Sequence, residues 1–327
     1  MACCPRMPTV ALETMAELAL VGDIGGTNSR FGLVEPGSTA IRDIAVLKND
    51  DFPSLEGAIG QYLKSRIIDS LTAAAVAVAG PVAGETVSLT NRNWSFTRET
   101  LRQAAMAKRI RLLNDFEALA LSLPHLAEAG TVQIGGTTPP APAVKIVLGP
   151  GTGLGMATLA PLPQGGWMAL PGEVGHITLP VATREEFDWV RSMSRPGKIF
   201  GTGGVITGGG LLLMYKGIAP DGGLATPEDV VRAAFAKSDA AAVKTLDQFV
   251  VWLARVAGDM AMALQARGGV YLAGDIAASI LPKLQSGPFR TIFEEKGRLA
   301  HIMRAIPVYV IVERFPALKG CAVAIAE

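Results

Sequence analysis

The sequence predicts an α/β protein in which two related units face a shared cleft, and three observations carry that prediction. Residues 21–34 run apolar, break at Asp23-Ile24-Gly25-Gly26-Thr27-Asn28 and resume as an apolar strand. Residues 144–159 do the same around Gly149-Pro150-Gly151-Thr152-Gly153, with Thr152 in the place of Thr27. A chain of 327 residues, at roughly 150 per domain, has room for two units that each bury a core.

A break of this kind makes a hairpin tip suited to phosphate. Adjacent glycines permit positive φ and let backbone N–H groups converge on an anion. Asp23, ending the incoming strand, stands where a divalent cation bridging phosphates needs an oxygen, directly or through water. One such tip alone reads more simply as a glycine turn with a capping aspartate. Two of them, more than a hundred residues apart, read as an internal duplication whose halves share a cleft.

Charge narrows the partners. With 30 Lys and Arg against 29 Asp and Glu, and no block of like charge, nothing favours nucleic acid or an anionic membrane surface. Cys3, Cys4 and Cys321 lie at the chain ends and match neither a disulfide framework nor a zinc spacing, which suggests a reducing cytoplasm. Residues 1–18 contain Arg6, Glu13 and Glu17, lack the apolar core of a signal peptide, and read as an N-terminal extension. No later stretch reaches the ~18 apolar residues of a membrane span, so the apolar content belongs to buried strands and helices.

After the first hairpin, residues 43–47 add a third strand and Ser54 caps a helix over 55–67. Gly57, at the third helical position, rules out a full capping box. The small-residue and valine run 73–79 is a strand covered on both faces, ended by Gly80-Pro81. Residues 85–90 alternate as a strand, Asn91-Arg92-Asn93-Trp94 is a loop, and Thr97 caps a helix running to Ala107. A brief strand at 111–113 leads into Asn114-Asp115 and a helix over 116–123; polar residues opening a helix after a strand occupy the usual functional edge of an α/β sheet.

The Gly-, Thr- and Pro-rich segment 130–143 reads as the domain boundary, with the second unit beginning at Val144. Its hairpin precedes Gly165-Gly166-Trp167 and the loop Leu170-Pro171-Gly172-Glu173-Val174-Gly175-His176. Residues 181–200 read as a helix and a linker, 201–210 as a glycine-rich stretch, and 227–236 and 239–267 as helices. Residues 269–276 form a buried strand ending at Gly274. A strand at 306–312 and a helix at 317–326 are expected to return to the first unit, making hinges of the crossing points. The expected division is 19–128 plus 306–327 as a small domain and 129–305 as a large one.

The order of Asp23-Ile-Gly-Gly-Thr-Asn28, Leu89-Thr-Asn-Arg-Asn-Trp94, Asn114-Asp-Phe116, Gly149-Pro-Gly-Thr-Gly-Leu-Gly155, Pro171-Gly-Glu-Val-Gly-His176 and Gly269-Val-Tyr-Leu-Ala-Gly274 resembles the sugar-kinase and actin-like ATPase superfamily, and within it the bacterial glucokinase family. The resemblance runs from Val21 to about Gly320. It implies a two-domain actin-like (ribonuclease H-like) fold with duplicated mixed sheets, and transfer of phosphate from ATP, with Mg2+, to the 6-hydroxyl of glucose, the first step of glycolysis.

Such transfer needs a base for the hydroxyl proton, a cation on the phosphates and closure against water. The resemblance makes Asp115 the base; by itself Asp115 also reads as an N-cap. A carboxylate suffices because the hydroxyl becomes acidic only as the P–O bond forms, so placement outweighs a raised pKa. Asn114, Glu173 and His176, with Asn91, match the sugar contacts, since amide, carboxylate and imidazole offer mixed donors and acceptors to a ring of hydroxyls. As metal ligands Glu173 and His176 lack a third partner, and the glycines and proline around them argue against a helix placing them at i, i+3. Trp94 either lines the sugar loop or packs a hairpin. His125 and His301 lie outside every motif.

The resemblance puts Gly25, Gly26, Thr27 and Asn28 at the outer phosphates, with Asp23 toward magnesium, and Gly151, Thr152 and Gly153 across the cleft. Gly274 and the run 208–210 approach the adenosine, the run being otherwise a flexible loop. A Gly-x-x-x-x-Gly-Lys-[Ser/Thr] sequence is absent, which excludes a P-loop kinase. The zinc-binding Cys/His cluster of the related repressor and kinase group is also missing, placing the chain nearer the zinc-free glucokinases.

One departure stands out. Relatives of this type commonly carry a further sugar-contacting glutamate where this chain has Gly203. Losing a charged hydrogen bond costs on the order of 1.5–3 kcal/mol, unless Glu185, Glu186 or water compensates. That keeps another hexose or an amino sugar open as substrate. Two further alternatives are a sugar-sensing protein of the same fold and a simple ATPase. Members of such families are often homodimers, and the resemblance implies the same assembly as an expectation.

Overall fold

The computed structural model describes residues 17–89, 92–137, 142–194 and 200–326. Asn91 and nearly all of the 1–18 extension lie outside the described residues.

The first sheet takes strands β1 (Ala19–Ile24), β2 (Asn28–Val34), β3 (Arg42–Lys48), β4 (Ala73–Val78) and β7 (Ile110–Asn114) in the order β3-β2-β1-β4-β7. β5 (Thr86–Ser88) and β6 (Ser95–Thr97) form a separate hairpin. β1, β4 and β7 run parallel, so their carboxyl ends share one edge. Every residue of β4 is buried, as a strand covered on both faces requires. Its even positions pack under α1 (Leu55–Lys64) and α2 (Arg98–Ala104), with Phe31, Tyr62 and Trp94. Ser54 caps α1 by accepting from the Gly57 N–H, and the helix ends at Lys64, short of the expected 67. On the other face, Ala73, Ala75 and Ala77 leave room for α3 (Asp115–Ser122).

The second sheet orders β11-β10-β9-β12-β13-β8, from β8 (Thr131–Gly135), β9 (Lys145–Pro150), β10 (Leu154–Pro161), β11 (Trp167–Gly172), β12 (Gly269–Leu272) and β13 (Val308–Ile311). Its outer face is covered by α4 (Arg184–Met193), α5 (Gly208–Ile218), α6 (Pro227–Ala236) and α7 (Ala240–Ala263), together with the short helices α8 (Asp275–Ser279), α9 (Leu281–Ser286), α10 (Phe289–Glu294) and α11 (Ala300–Ala305). Val147, Ala157, Leu159 and Tyr271 on the opposite face share one core with α3 and α12 (Pro316–Ala326). These two helices therefore lie between the sheets. Gly320 lets them touch, since a Cβ there would stand 1.7 Å from the Ala118 carbonyl oxygen.

Three sequence expectations change. The strand over 306–312 does not return to the first unit: β13 pairs with β12 and β8, because Val308 and Val310 are buried on the second sheet, and only α12 crosses. Part of the 130–143 linker is a strand, β8, whose Thr-Val-Gln-Ile run fits the sheet edge. The glycine run 208–210 is not a flexible loop but the first turn of α5, capped by Thr207 and fixed by buried Leu211, Met214 and Tyr215.

Candidate active site

The first tip joins β1 to β2, whose last pairing is Ile24 with Ser29. The Gly25 N–H donates to the Asn28 carbonyl at 3.0 Å. The second tip joins β9 to β10, and there the Gly151 N–H donates to the Gly153 carbonyl at 2.8 Å. None of Gly25, Gly151 and Gly153 uses positive φ, contrary to the reason expected for them. Their value is bareness: a Cβ on Gly153 would meet nothing within 4 Å, and one on Gly151 only the Gly153 oxygen at 3.8 Å. The backbone of the second tip is thus open to a ligand.

Two neighbours shape the second tip. The Gly208 N–H, at the start of α5, donates to the Gly151 carbonyl at 3.0 Å, so the helix N-terminus, favourable to anions, abuts the turn. Gly274 has φ of +94°, and a Cβ there would stand 3.1 Å from the Pro150 oxygen. The other motif glycines act differently. A Cβ on Gly149 or Gly155 would stand 2.9 or 1.9 Å from the ring of Phe116, so they admit that ring rather than a phosphate.

Phe116 is the neighbour of Asp115. Asn114, not Asp115, caps α3: its Oδ1 accepts from the N–H groups of Phe116 (2.9 Å) and Glu117 (3.3 Å), and Glu117 returns a bond to the Asn114 N–H. The Asn114 Nδ2 donates to the Gly80 carbonyl at 3.2 Å. Among the described residues, Asp115 accepts from the N–H of Phe116 (3.0 Å) and its own. Burial pushes its carboxyl up to about 6, the charges of Asp23 and, more weakly, Glu173 add to the rise, and the two N–H groups oppose it. Asp23 from the first sheet and Glu173 from the second unit thus both act on Asp115. Asp23, in register through Ala77 with Leu113, and Asp115, which follows β7, stand at the carboxyl edge of β1 and β7, the edge expected to be functional.

Asp23 itself is held by Arg30, its cross-strand partner, at 3.3 Å. Burial raises its carboxyl, and Arg30 opposes the rise. Among the described residues, no group of three or more His, Cys, Asp and Glu is arranged to hold a metal ion.

Glu173 precedes and His176 ends a single 3-10 turn, Val174–His176, which does place them at i, i+3 despite the surrounding glycines; Glu173 Oε2 and His176 Nε2 are 4.0 Å apart. Both side chains are exposed, 74% and 86%. The turn is wedged: a Cβ on Gly175 would stand 2.8 Å from the Leu154 oxygen, and one on Gly203 2.9 Å from the Gly175 oxygen. Buried Thr202 donates its hydroxyl to the Val174 carbonyl and its N–H to the Ile177 carbonyl. The position without a glutamate, 203, therefore does lie against the Glu173–His176 turn.

Neither suggested substitute reaches that turn. Glu186 is buried against Arg255 (2.6 Å) and Gln248 (3.1 Å), and Glu185 pairs with Lys244. Trp94 packs its hairpin, buried with Phe96 and Val87 beneath the Arg92 guanidinium. His125 and His301 are exposed. Asn49, which binds the first tip, Arg30 beside Asp23, and Thr202 carry no signal in the sequence. Each acts through a partner distant in sequence or across a strand.

The glucokinase family model matches residues 20–327. A glucokinase of Chromobacterium violaceum is 38% identical over 314 residues, covering 94% of this chain and 89% of that one. Among solved structures, the glucokinase of an Antarctic psychrotroph superposes with a TM-score of 0.83 at 29% identity, over 94% of this chain and 98% of the other. The glucokinase of Balamuthia mandrillaris, solved in complex with glucose, gives 0.81 over 97% of this chain and 96% of that one; at 21% identity it speaks for the fold alone. That fold is the two-domain arrangement of actin-like ATPases. Among the described residues, no helix is long and apolar enough to cross a membrane.

Proposed function

Since the chain belongs to the glucokinase family, we infer that it transfers the terminal phosphoryl group of ATP to the 6-hydroxyl of glucose, with Asp115 taking the hydroxyl proton. The observation that supports the assignment of roles is that Asp23 and Asp115 share one edge, at the carboxyl ends of the parallel strands β1 and β7. Asp115 leaves the cap to Asn114, so its carboxylate keeps acceptor capacity for a hydroxyl. At neutral pH it is ionised, while its raised affinity for a proton makes it a better acceptor than an ordinary aspartate.

The sugar is held by Glu173 and His176, with the second Nδ2 proton of Asn114 and Asn91 as further contacts. ATP lies between the tips: its outer phosphates meet Gly25, Gly26, Thr27 and Asn28, and its remainder meets Gly151, Thr152, Gly153 and Gly274. Mg2+ would be held by the phosphates and, through water, by Asp23; when bound it neutralises phosphate charge. Exposure of Glu173 and His176 fits a clamp that closes when sugar arrives, which limits ATP hydrolysis in its absence. The reaction is placed in the cytoplasm, and a homodimer is the assembly to be checked by light scattering.

A coupled ADP-release assay over a panel of hexoses and amino sugars tests this. Glucose-dependent release should fall by roughly 10²- to 10⁴-fold in Asp115→Ala while glucose still binds; unchanged turnover removes Asp115 from its role. One observation favours a second reading. Gly203 offers no carboxylate, and Glu185 and Glu186 are engaged elsewhere, so a different hexose or an amino sugar would prove the better substrate in the same assay.

A further inference from the structure

We propose that Asn49 is the positioning residue that orients the phosphate-binding face of the first tip. The proposal rests on reading the turn at residues 25–28 as a phosphate cradle. Asn49 is fully buried and opens the 3-10 turn Asn49–Asp51, directly after β3. Its Nδ2 donates to the carbonyls of Gly25 (2.8 Å) and Gly26 (3.2 Å), and its backbone N–H donates to the carbonyl of Thr27 (2.9 Å). Its Oδ1 accepts from the hydroxyl of Ser29 (2.7 Å), also fully buried. One residue thus holds three consecutive carbonyls of the tip.

The consequence follows from peptide geometry. A trans peptide is planar, and its C=O and N–H point to opposite sides. Turning the Gly25 and Gly26 carbonyls toward Asn49 therefore turns the N–H groups of Gly26 and Thr27 away from it together. Successive N–H groups pointing one way form an anion-binding concavity. Only an amide side chain both donates twice and accepts at once: a carboxylate would have no donor for the carbonyls, and an apolar group would leave Ser29 unpaired. Asn49 touches no phosphate in this arrangement; it acts through the tip.

The test titrates ATP, AMP and glucose separately into the full-length parent, Asn49→Ala and Ser29→Ala, by calorimetry. Asn49→Ala is expected to weaken ATP by roughly ten- to hundredfold, with AMP and glucose within about twofold. Ser29→Ala, which removes only the hydroxyl that steadies Asn49, should weaken ATP by roughly two- to tenfold, and is read alone if Asn49→Ala does not fold. An effect that grows with the outer phosphates marks positioning of the tip, which a general loss of structure would not produce. Unchanged ATP affinity, or ATP, AMP and glucose weakening in parallel, overturns the proposal, as does a parent that binds no ATP. A parent that binds ATP but releases no ADP with any sugar sinks the kinase reading and leaves this one standing.

Discussion

Gly155 exists for Phe116: a Cβ on the glycine would lie 1.9 Å from the aromatic ring. The residue before Phe116 is Asp115, so whatever seats this ring seats the carboxylate beside it. Gly155→Ala is expected to cost about 3 kcal/mol of stability, since overpacking against a rigid ring cannot relax cheaply. Turnover should fall as well, because the start of α3 must shift. Adding Phe116→Leu should restore part of the stability. Denaturant unfolding of the single and double variants checks this, and full additivity of the two losses would contradict it.

Asp115 also links activity and stability to pH. Its carboxyl rises from the ordinary 3.8 to about 6, so the native state holds the proton more tightly than the unfolded chain. The sign follows: this group's contribution to stability is present below about pH 4 and is lost as pH rises through about 6. Asp115→Asn should therefore stabilise the fold at pH 8 by on the order of 1–3 kcal/mol, and by much less at pH 4. Parent kcat/KM should drop below about pH 6 as the base protonates. Unfolding curves and rates across pH 4 to 8 report both.

How much of this was legible in the chain depended on the reach of each interaction. The two tips and Asp115 were readable because strand, turn and helix start are local signals carried by Gly25, Gly26, Gly151 and the Asn114-Asp115 step. Asn49 was not, because the carbonyls it binds lie 24 and 23 residues earlier and no pattern marks a buried amide. The return of the chain was half legible. Helix formation by 316–326 is local, whereas the choice of β12 and β8 as partners for β13 is tertiary. α5 was hidden because three glycines oppose a helix in isolation, and burial of Leu211 and Tyr215 overrides them.

Glu186 separates a structural carboxylate from a sugar-binding one. It is buried with Arg255, Gln248 and the Ala182 N–H as partners. Glu186→Gln leaves Arg255 without its countercharge and should destabilise the protein by about 3 kcal/mol. The KM for glucose should stay within about twofold, because the side chain faces α7 rather than the turn of Glu173. Chemical denaturation and steady-state kinetics on one preparation decide the matter; a selective rise in glucose KM would mean that Glu186 serves the sugar after all.

Gly203 allows the missing carboxylate to be weighed directly. A Cβ at this position would stand 2.9 Å from the Gly175 oxygen, a backbone atom that cannot rotate away, so Gly203→Ala must displace the turn carrying Glu173 and His176. Its glucose KM should rise, since the displaced turn carries Glu173 and His176. Gly203→Glu carries the same Cβ and adds the charged acceptor. The ratio of glucose KM between the Ala and Glu variants therefore cancels the steric cost and isolates the carboxylate. A charged hydrogen bond to a hydroxyl predicts a ratio of roughly ten to a hundred in favour of Glu. Equal KM values for the two variants would mean that position 203 does not face the sugar.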